Sequence, residues 1–595
     1  MSKMKQSPQL NLFSHISRKL LVKRRSKIIV LLSALALLSF NTNTFLSAQE
    51  VPELTFLYSS KLDEKLQQEK ERNRVGFVET NKTDELEKKQ ESRTPNKEEQ
   101  NTVRTSSADT PLIFVEQEKT PRLEKSNGQI SPSVEKKIDV LIDIRHAHDF
   151  SDFPLTTEDR NYHRIYSFHS AFAYLKSQGV KVEKSDSDIP LDEETLAKCK
   201  ALFLNLPSGD KAPFLLKELV AIRNFINAGG SAFFIVEHTN CYFHQSRLTP
   251  LFHELGIEPQ FYSICDATKN LGTGYGWIYL DKFTPSPITH NLRQIAFQTG
   301  GGVDPRNAVV WSSEQSWQDA ADIPMYGEAD ISYFGNFLPE KNERVGSSGA
   351  VLAKEVGQGR VVVVGDQNIF STFFLQYLDN YRLWNNSFAW LLDRPELADP
   401  QKYIASVKDS KLILCWEELR PNAKRFGSPD ADGYYNIYAV LCRYYRPFCI
   451  ANDDSEIGLV SKILIWIDAD ENESQEAVDF AYKQLKSGKT LLVLDPSKDV
   501  FKKEKSPLLT IIRKLKENGV ENDAPTTLFS LDENDKKGLD GIEEINFSNG
   551  GKLVTLKGKD SFNNSEIPAP EAKLLLRQQE NLKTLLKIID TELNR

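Results

Sequence analysis

From residue 138 onward, uninterrupted apolar runs alternate with amphipathic stretches, and that alternation predicts layered strands and helices. Asp139-Val140-Leu141-Ile142-Asp143-Ile144 reads as a strand buried on both faces. Ser167 to Leu175 follows with helical spacing, and Val180-Lys181-Val182 gives a second strand. Ala201-Leu202-Phe203-Leu204-Asn205-Leu206 is a third. A helix from Phe214 to Ala228 is expected to stop at Gly229-Gly230, because glycine adopts the left-handed conformation that closes a helix. Ala232-Phe233-Phe234-Ile235-Val236 then makes a fourth strand. Strands with no polar alternation, separated by helices, predict a parallel sheet covered on both faces.

The same succession recurs after residue 410. Leu412 to Trp416 reads as a strand, Tyr435 to Tyr445 as a helix and Ile463 to Ile467 as a strand. Ser474 to Lys486 reads as a helix closing on Gly488, and Leu491 to Leu494 as a strand. Few residues are identical between the two stretches, but the order of elements and the glycine positions agree. The expected fold is therefore flavodoxin-like α/β: a parallel sheet with helices on both faces, present as two tandem related units. Their expected bounds are 137–398 and 408–560, the second shorter and more degenerate. A C-terminal amphipathic helix is expected within 565–595, to cap the second unit or to pair with a partner.

The first 136 residues differ in kind. Residues 1–27 carry Lys3, Lys5, Arg18, Lys19, Lys23, Arg24, Arg25 and Lys27 and no acid, and an apolar run follows from Ile28 to Phe40. A basic start, a short apolar run and the small residues Ser47-Ala48 predict a secretory signal over 1–48, cleaved after Ala48 or kept as an anchor. The run is shorter than the ~20 residues a spanning helix needs. If uncleaved, the segment contacts the membrane. Residues 49–136 are rich in Lys, Glu, Gln, Asn, Ser and Thr, with Leu112-Ile113-Phe114-Val115 as the main apolar cluster. Such composition buries too little surface to offset chain entropy, so a disordered charged linker is expected. The folded part is thus expected outside the cytoplasm, in the periplasm or cell envelope or anchored to the membrane.

Composition removes several classes of function. Of 595 residues, 40% are hydrophobic and 27% charged, with a net charge of −8. An acidic balance argues against nucleic acid as partner, which requires a basic surface to displace counterions. Six cysteines without a Cys-x-x-Cys pair leave no zinc-finger or iron–sulfur pattern. No cofactor is expected. Gly300-Gly301-Gly302 opens no helix, lacks the strand–loop–helix context of a phosphate cradle, and reads as a turn. Tyr434, Tyr435, Tyr444, Tyr445 and Trp466 can stack on a sugar, but most of them fall at core periodicity.

Three features carry a resemblance. A strand ends in Asp143 with His146 just beyond it; a strand–helix–Gly-Gly–strand run covers Ala201 to Glu237; and "GQGRVVVVGDQNIF" at 357–370 precedes a helix with Asp379-Asn380 near its start. In these the chain resembles the class I glutamine-amidotransferase-like superfamily. Within it the likeness is to a non-catalytic branch that includes gliding-motility ABC accessory proteins, intraflagellar-transport-like domains and exported bacterial proteins of unknown function. The resemblance spans residues 138–395, with a weaker echo over 410–525. It implies a nucleophilic Cys in a Gly-x-Cys-x-Gly elbow after the strand at 232–236. Here the strand runs into Glu237-His238-Thr239-Asn240-Cys241, with no flanking glycine, and Cys241 lies too far along to be the elbow residue. The family's His-x-Glu is replaced by Gly365-Asp366-Gln367-Asn368. The amidotransferase triad is therefore absent, and a buried structural Cys241 is the expected reading.

In open α/β sheets the carboxyl ends of strands converge on one crevice where ligands bind. Asp143, His146, His148, Glu237, His238 and Asp366 are all placed toward that edge by their position after strands, and form the candidate ligand site. Imidazole and carboxylate together can hold a divalent metal, yet the spacing matches no metal motif, and polar loop residues at a sheet edge are common without one. No catalytic residue is assigned. The expected function is an exported or membrane-tethered non-catalytic binding protein. Its partner would be a protein of an envelope or transport assembly, or a carbohydrate. The alternative is a hydrolase, metal-dependent or not, at the same edge; a third reading is a scaffold that dimerises through its second unit.

Overall fold

The computed structural model describes residues 136–148, 150–156, 166–209, 211–272, 275–321, 335–407, 411–420, 423–428, 430–453, 455–496, 501, 503–529, 541–557, 562–564 and 576–595. The expected signal segment, the charged linker and the Leu112–Val115 cluster lie outside these residues. Among the described residues no helix is long and apolar enough to cross a membrane.

Residues Thr120–Arg595 make one compact unit that contains two large sheets. The first uses β1 (Ile138–Asp143), β2 (Val182–Lys184), β3 (Cys199–Asn205), β4 (Ser231–Ile235), β5 (Lys282–Phe283), β6 (Ala308–Trp311), β7 (Gly349–Val356) and β8 (Gly359–Val364). Their order is β2-β1-β3-β4-β8-β7-β6-β5. The five strands from β2 to β8 are parallel and the last three antiparallel. The second uses β9 (Leu412–Trp416), β10 (Arg446–Ile450), β11 (Ile463–Ile467), β12 (Thr490–Leu494), β13 (Thr526–Phe529), β14 (Gly541–Asn546) and β15 (Lys552–Lys557), in the order β10-β9-β11-β12-β15-β14-β13. Again five strands are parallel and the rest antiparallel. Both sheets thus share the 2-1-3-4-5 parallel order of a flavodoxin-like fold, each extended by antiparallel strands. The repeat seen in the order of sequence elements is a repeat of topology.

Helices cover the faces because the strands between them are apolar on both sides. The principal ones are α1 (His169–Ser177), α2 (Leu216–Asn227), α3 (His244–Glu254), α4 (Asn380–Leu392), α5 (Tyr435–Tyr444), α6 (Gln475–Lys486), α7 (Pro507–Glu517) and α8 (Leu576–Asn594). α6 starts where the Ser474 hydroxyl accepts the Ala477 amide at 3.2 Å, satisfying an end group the helix cannot pair itself. α2 ends at Asn227, and Gly229 follows with φ +100°. α8 lies on the second sheet: Leu582, Leu585 and Ile589 are buried, and the Thr490 hydroxyl donates to Glu592 at 2.7 Å.

One core runs through both sheets. It contains Phe172, Phe203, Phe233 and Trp384 of the first together with Leu414, Phe448 and Trp466 of the second. Tyr403, on the helix Pro400–Val407, packs on Tyr174, Tyr381 and Phe448 across this layer. The backbone joins it as well: the Leu378 amide donates to the Cys449 carbonyl, and the Cys449 amide to the Gln376 carbonyl. Residues 376–378 so extend the β10 edge of the second sheet.

Trp384 is fully buried, its rings within 4.6–6.4 Å of those of Phe168, Phe172, Phe203, Phe233, Phe370 and Phe388. Its indole N–H donates to the Ala171 carbonyl at 3.1 Å. We expect Trp384→Ala to lower stability by about 3–5 kcal/mol in denaturant unfolding, because such a truncation leaves a cavity the surrounding rings cannot fill.

Candidate functional site

The carboxyl ends of β1, β4 and β8 carry Asp143, Glu237 and Asp366, as their positions in the sequence predict. They do not form one site. Five of the six candidate residues divide between two sets, and among the described residues Asp143 and His146 make no hydrogen bond or ion pair to Glu237 or Asp366.

In the first set, the turn after β1 brings the His146 ring back over the strand end, with Nδ1 3.0 Å from Asp143 Oδ2. The ring stacks on Phe214 at 4.0 Å between centroids. Its Nε2 faces Glu218 Oε1 at 3.6 Å. Asp143, His146 and Glu218 are all completely buried. Glu218, in the first turn of α2, accepts the Leu215 amide at 2.7 Å and the Leu191 amide at 2.8 Å. Arg145 reaches the same carboxylate at 3.7 Å and donates to the Ser187 carbonyl at 2.8 Å. Glu218 therefore ties together the loops after β1, β2 and β3. The sequence offered a signal for it, an acid in a first helical turn, but such an acid reads first as a helix cap.

In the second set, Glu237 follows β4 and Asp366 follows β8, its parallel neighbour. Glu237 accepts the Gln367 amide at 2.9 Å and the His238 amide at 3.1 Å. Asp366 accepts the amides of Gln298 and Asn368. The two buried carboxyls also interact directly, which together with burial favours keeping a proton on the pair. Burial holds Glu237 well above the usual carboxylate range, and the neighbouring Asp366 adds to it. Burial likewise pushes Asp366 up to about 7, against the amides that favour its charged form.

His244, at the start of α3, is a member that sequence reasoning missed. Its Nδ1 hydrogen donates to the Cys241 carbonyl at 2.7 Å, and its Nε2 accepts the Glu237 amide at 3.0 Å. Burial lowers it to about 4, so the ring is neutral and fixed in one tautomer. Cys241 is also drawn into this set, 1% exposed, and burial raises its thiol well above the ordinary value. An inert thiol agrees with the absence of an amidotransferase elbow, because nucleophilicity belongs to the thiolate. His148 stacks on Tyr242 at 3.5 Å between centroids.

Gly300-Gly301-Gly302 is not the turn expected from its composition. It crosses the strand ends in extended form, the Gly301 amide donating to the Gly365 carbonyl at 2.7 Å and the Ile264 amide to the Gly300 carbonyl at 2.9 Å. A Cβ at Gly301 would overlap the Glu237 carbonyl, so glycine is required by the close approach of backbones.

No family model matches the chain, and no curated protein matches it. Solved structures do. The mmIFT52 N-terminal domain aligns over 42% of this chain and 97% of its own, at 14% identity and a TM-score of 0.32. A putative ThuA-like protein from Bacteroides uniformis aligns over 46% and 98%, at 13% identity and 0.25. The cytoplasmic protein STM1381 from Salmonella typhimurium LT2 aligns over 43% and 99%, at 11% identity and 0.25. At these identities and TM-scores the likenesses carry no argument about family or activity.

The second sheet has a cavity of its own that sequence reasoning did not single out. A shallow cleft with room for about one water, it lies beyond the carboxyl ends of β9 and β11, lined among others by Trp416, Glu418, Arg420, Lys424, Asp468 and Glu473. In the order β10-β9-β11 this is where the chain reverses direction across the sheet, the place where such folds open a crevice.

The shared proton of the Glu237–Asp366 pair has a pH signature. A carboxyl whose folded value is raised binds its proton more tightly in the folded state, so its contribution declines as pH rises from the unfolded value toward the folded one. For Asp366 that window runs from 3.8 to about 7. We expect metal-free wild type to lose stability relative to Asp366→Asn between pH 4 and pH 7, measured by urea unfolding at each pH.

Proposed function

We propose that the chain is a non-catalytic binding protein, carried outside the cytoplasm by its N-terminal segment, whose first unit docks a protein of an envelope or transport assembly. The observation that supports this reading is an apolar rim on the edge where a catalytic centre would open. Phe153, Ile189, Leu215 and Leu216 are 58%, 50%, 40% and 57% exposed; the first three belong to the loops after β1, β2 and β3, and Leu216 opens α2. Exposed aliphatic side chains on neighbouring loops are an expected feature of protein interfaces. The buried Glu218 carboxylate fixes two of these loops and Arg145 links them to the third. The rim is thus presented on a preorganised support, which lowers the entropy lost on docking.

The hydrolase alternative draws on the same edge, but there the acids are turned to each other, to histidine and to backbone amides. Asp143, His146, Glu237 and Asp366 are each at most 3% exposed.

A second reading, binding of a carbohydrate, is favoured by the cavity of the second sheet. Sugar hydroxyls both donate and accept, and the cavity offers carboxylates beside Arg420 and Lys424. The Trp416 indole N–H, on a residue 2% exposed, has no hydrogen-bond partner among the described residues. Trp466 is 1% exposed and serves the core, in line with its periodicity, so recognition would rest on hydrogen bonds and not on ring stacking.

A photo-crosslinking residue placed at Leu216 of the full-length protein, in cells of its native host, tests the docking reading. We expect a discrete adduct with one envelope protein, at least about fivefold weaker when Ile189→Asp is added, since a charge in an apolar contact costs 1 kcal/mol or more. No adduct, or one indifferent to Ile189→Asp, would overturn it.

A further inference from the structure

One group of side chains at the end of β4 is used by neither reading. Glu237, His238 and Cys241 each offer a metal-binding atom, and these three atoms lie within 4.8 Å of one another. All three residues are buried, at 3%, 8% and 1% exposure. Their convergence comes from the turn that follows the strand. Thr239, Tyr242 and Phe243 have φ of +51°, +53° and +63°, conformations that side chains of their shape rarely adopt. Thr239, between the two, turns Cys241 back toward Glu237, Tyr242 and Phe243 turn the chain on into α3, and His244 holds the turn by bonding to the Glu237 amide and the Cys241 carbonyl.

Charge supplies a second, independent observation. Glu237 and Asp366 are neighbouring buried carboxyls, and among the described residues neither has a lysine or arginine partner. Buried carboxyls ordinarily have a cation or bind a metal, because removing them from water is costly. Two backbone amides already orient the Glu237 carboxylate, as outer partners orient a ligand, and each oxygen retains a lone pair.

We propose that Glu237, His238 and Cys241 form a binding site for a divalent ion of the zinc class. One oxygen, one imidazole nitrogen and one sulfur suit a borderline-soft ion and do not suit magnesium or calcium, which take oxygen ligands. Three protein donors fall one short of a closed tetrahedral shell, so water or a bound ligand completes it. Binding displaces the thiol proton to solvent and leaves the proton of the carboxyl pair on Asp366, so that the Cys241 thiolate and the Glu237 carboxylate coordinate the ion. The site is separate from the apolar rim and from the second cavity, and it stands or falls without either.

Cobalt(II) reports such a site directly, because thiolate coordination produces a charge-transfer band. Full-length protein, stripped with chelator and titrated with cobalt(II), is expected to bind one equivalent with that band, and zinc(II) is expected to displace it. Cys241→Ser should abolish the band, while Cys265→Ser, at a buried thiol on another strand, should leave it intact. His238→Asn should weaken cobalt binding by at least about tenfold. Absence of cobalt binding, or a band that survives Cys241→Ser, would overturn the assignment. If Cys241→Ser does not fold, His238→Asn decides alone: an unchanged affinity overturns the site.

Discussion

The parallel pairing of β4 with β8 is the constraint on which the first unit depends. It joins Ser231–Ile235 to Arg360–Val364, segments separated by more than a hundred residues, in a register that runs from Ser231 with Arg360 to Ile235 with Val364. That register sets Glu237 and Asp366 side by side just beyond the last pair. Gly301 and Gly365 then let a third stretch of backbone cross directly over the strand ends. The desolvation of both carboxyls follows from this closure, and so do the shared proton and the neutral histidine beside them. A polar edge that a looser sheet would leave wet is here sealed.

Sealing one edge separates roles that a single crevice would combine. The polar groups of the first sheet act on their own loops: Glu218 fixes loop positions and His244 fixes a turn. What reaches the surface there includes the apolar Phe153, Ile189, Leu215 and Leu216. In the second sheet the corresponding edge stays open and polar, with charged groups of both signs. The two units share a topology but present opposite surfaces, an instance of fold and function being set by different residues.

Much of the fold was legible because its signals are local. Apolar runs gave the parallel strands, Gly229-Gly230 gave the end of α2, and the helix expected to start near Asp379-Asn380 is α4. β10 was not read, since Pro447 interrupts a short apolar segment; proline is tolerated there because the strand begins at a sheet edge. For the site, the strand-end acids were legible from strand positions alone, whereas their separation into two sets was not. That separation depends on loop paths, as with the left-handed Thr239 that turns Cys241 back toward Glu237. Glu218 and His244 lie at the starts of helices, where the ordinary reading of a polar residue is a cap. Gly300–Gly302 shows the same limit: glycine for a turn and glycine for a close crossing look alike in one dimension.

The segment between Asp366 and α4 belongs by sequence to the first unit, yet Phe373, Phe374, Tyr377 and Leu378 are buried in a cluster with Phe426, Tyr434, Tyr438 and Cys449 of the second. The Tyr377 hydroxyl accepts the Gly427 amide at 2.8 Å, and the Tyr438 hydroxyl donates to the Phe373 carbonyl at 3.1 Å. A cut between the repeats would strip these aromatic residues of half their surroundings, so the topological repeat is no longer a pair of separable modules. Only six residues lie between the sealed carboxyl at 366 and the first of these rings at 373. A rearrangement at one sheet's edge therefore has a short covalent lever into the other sheet's interior.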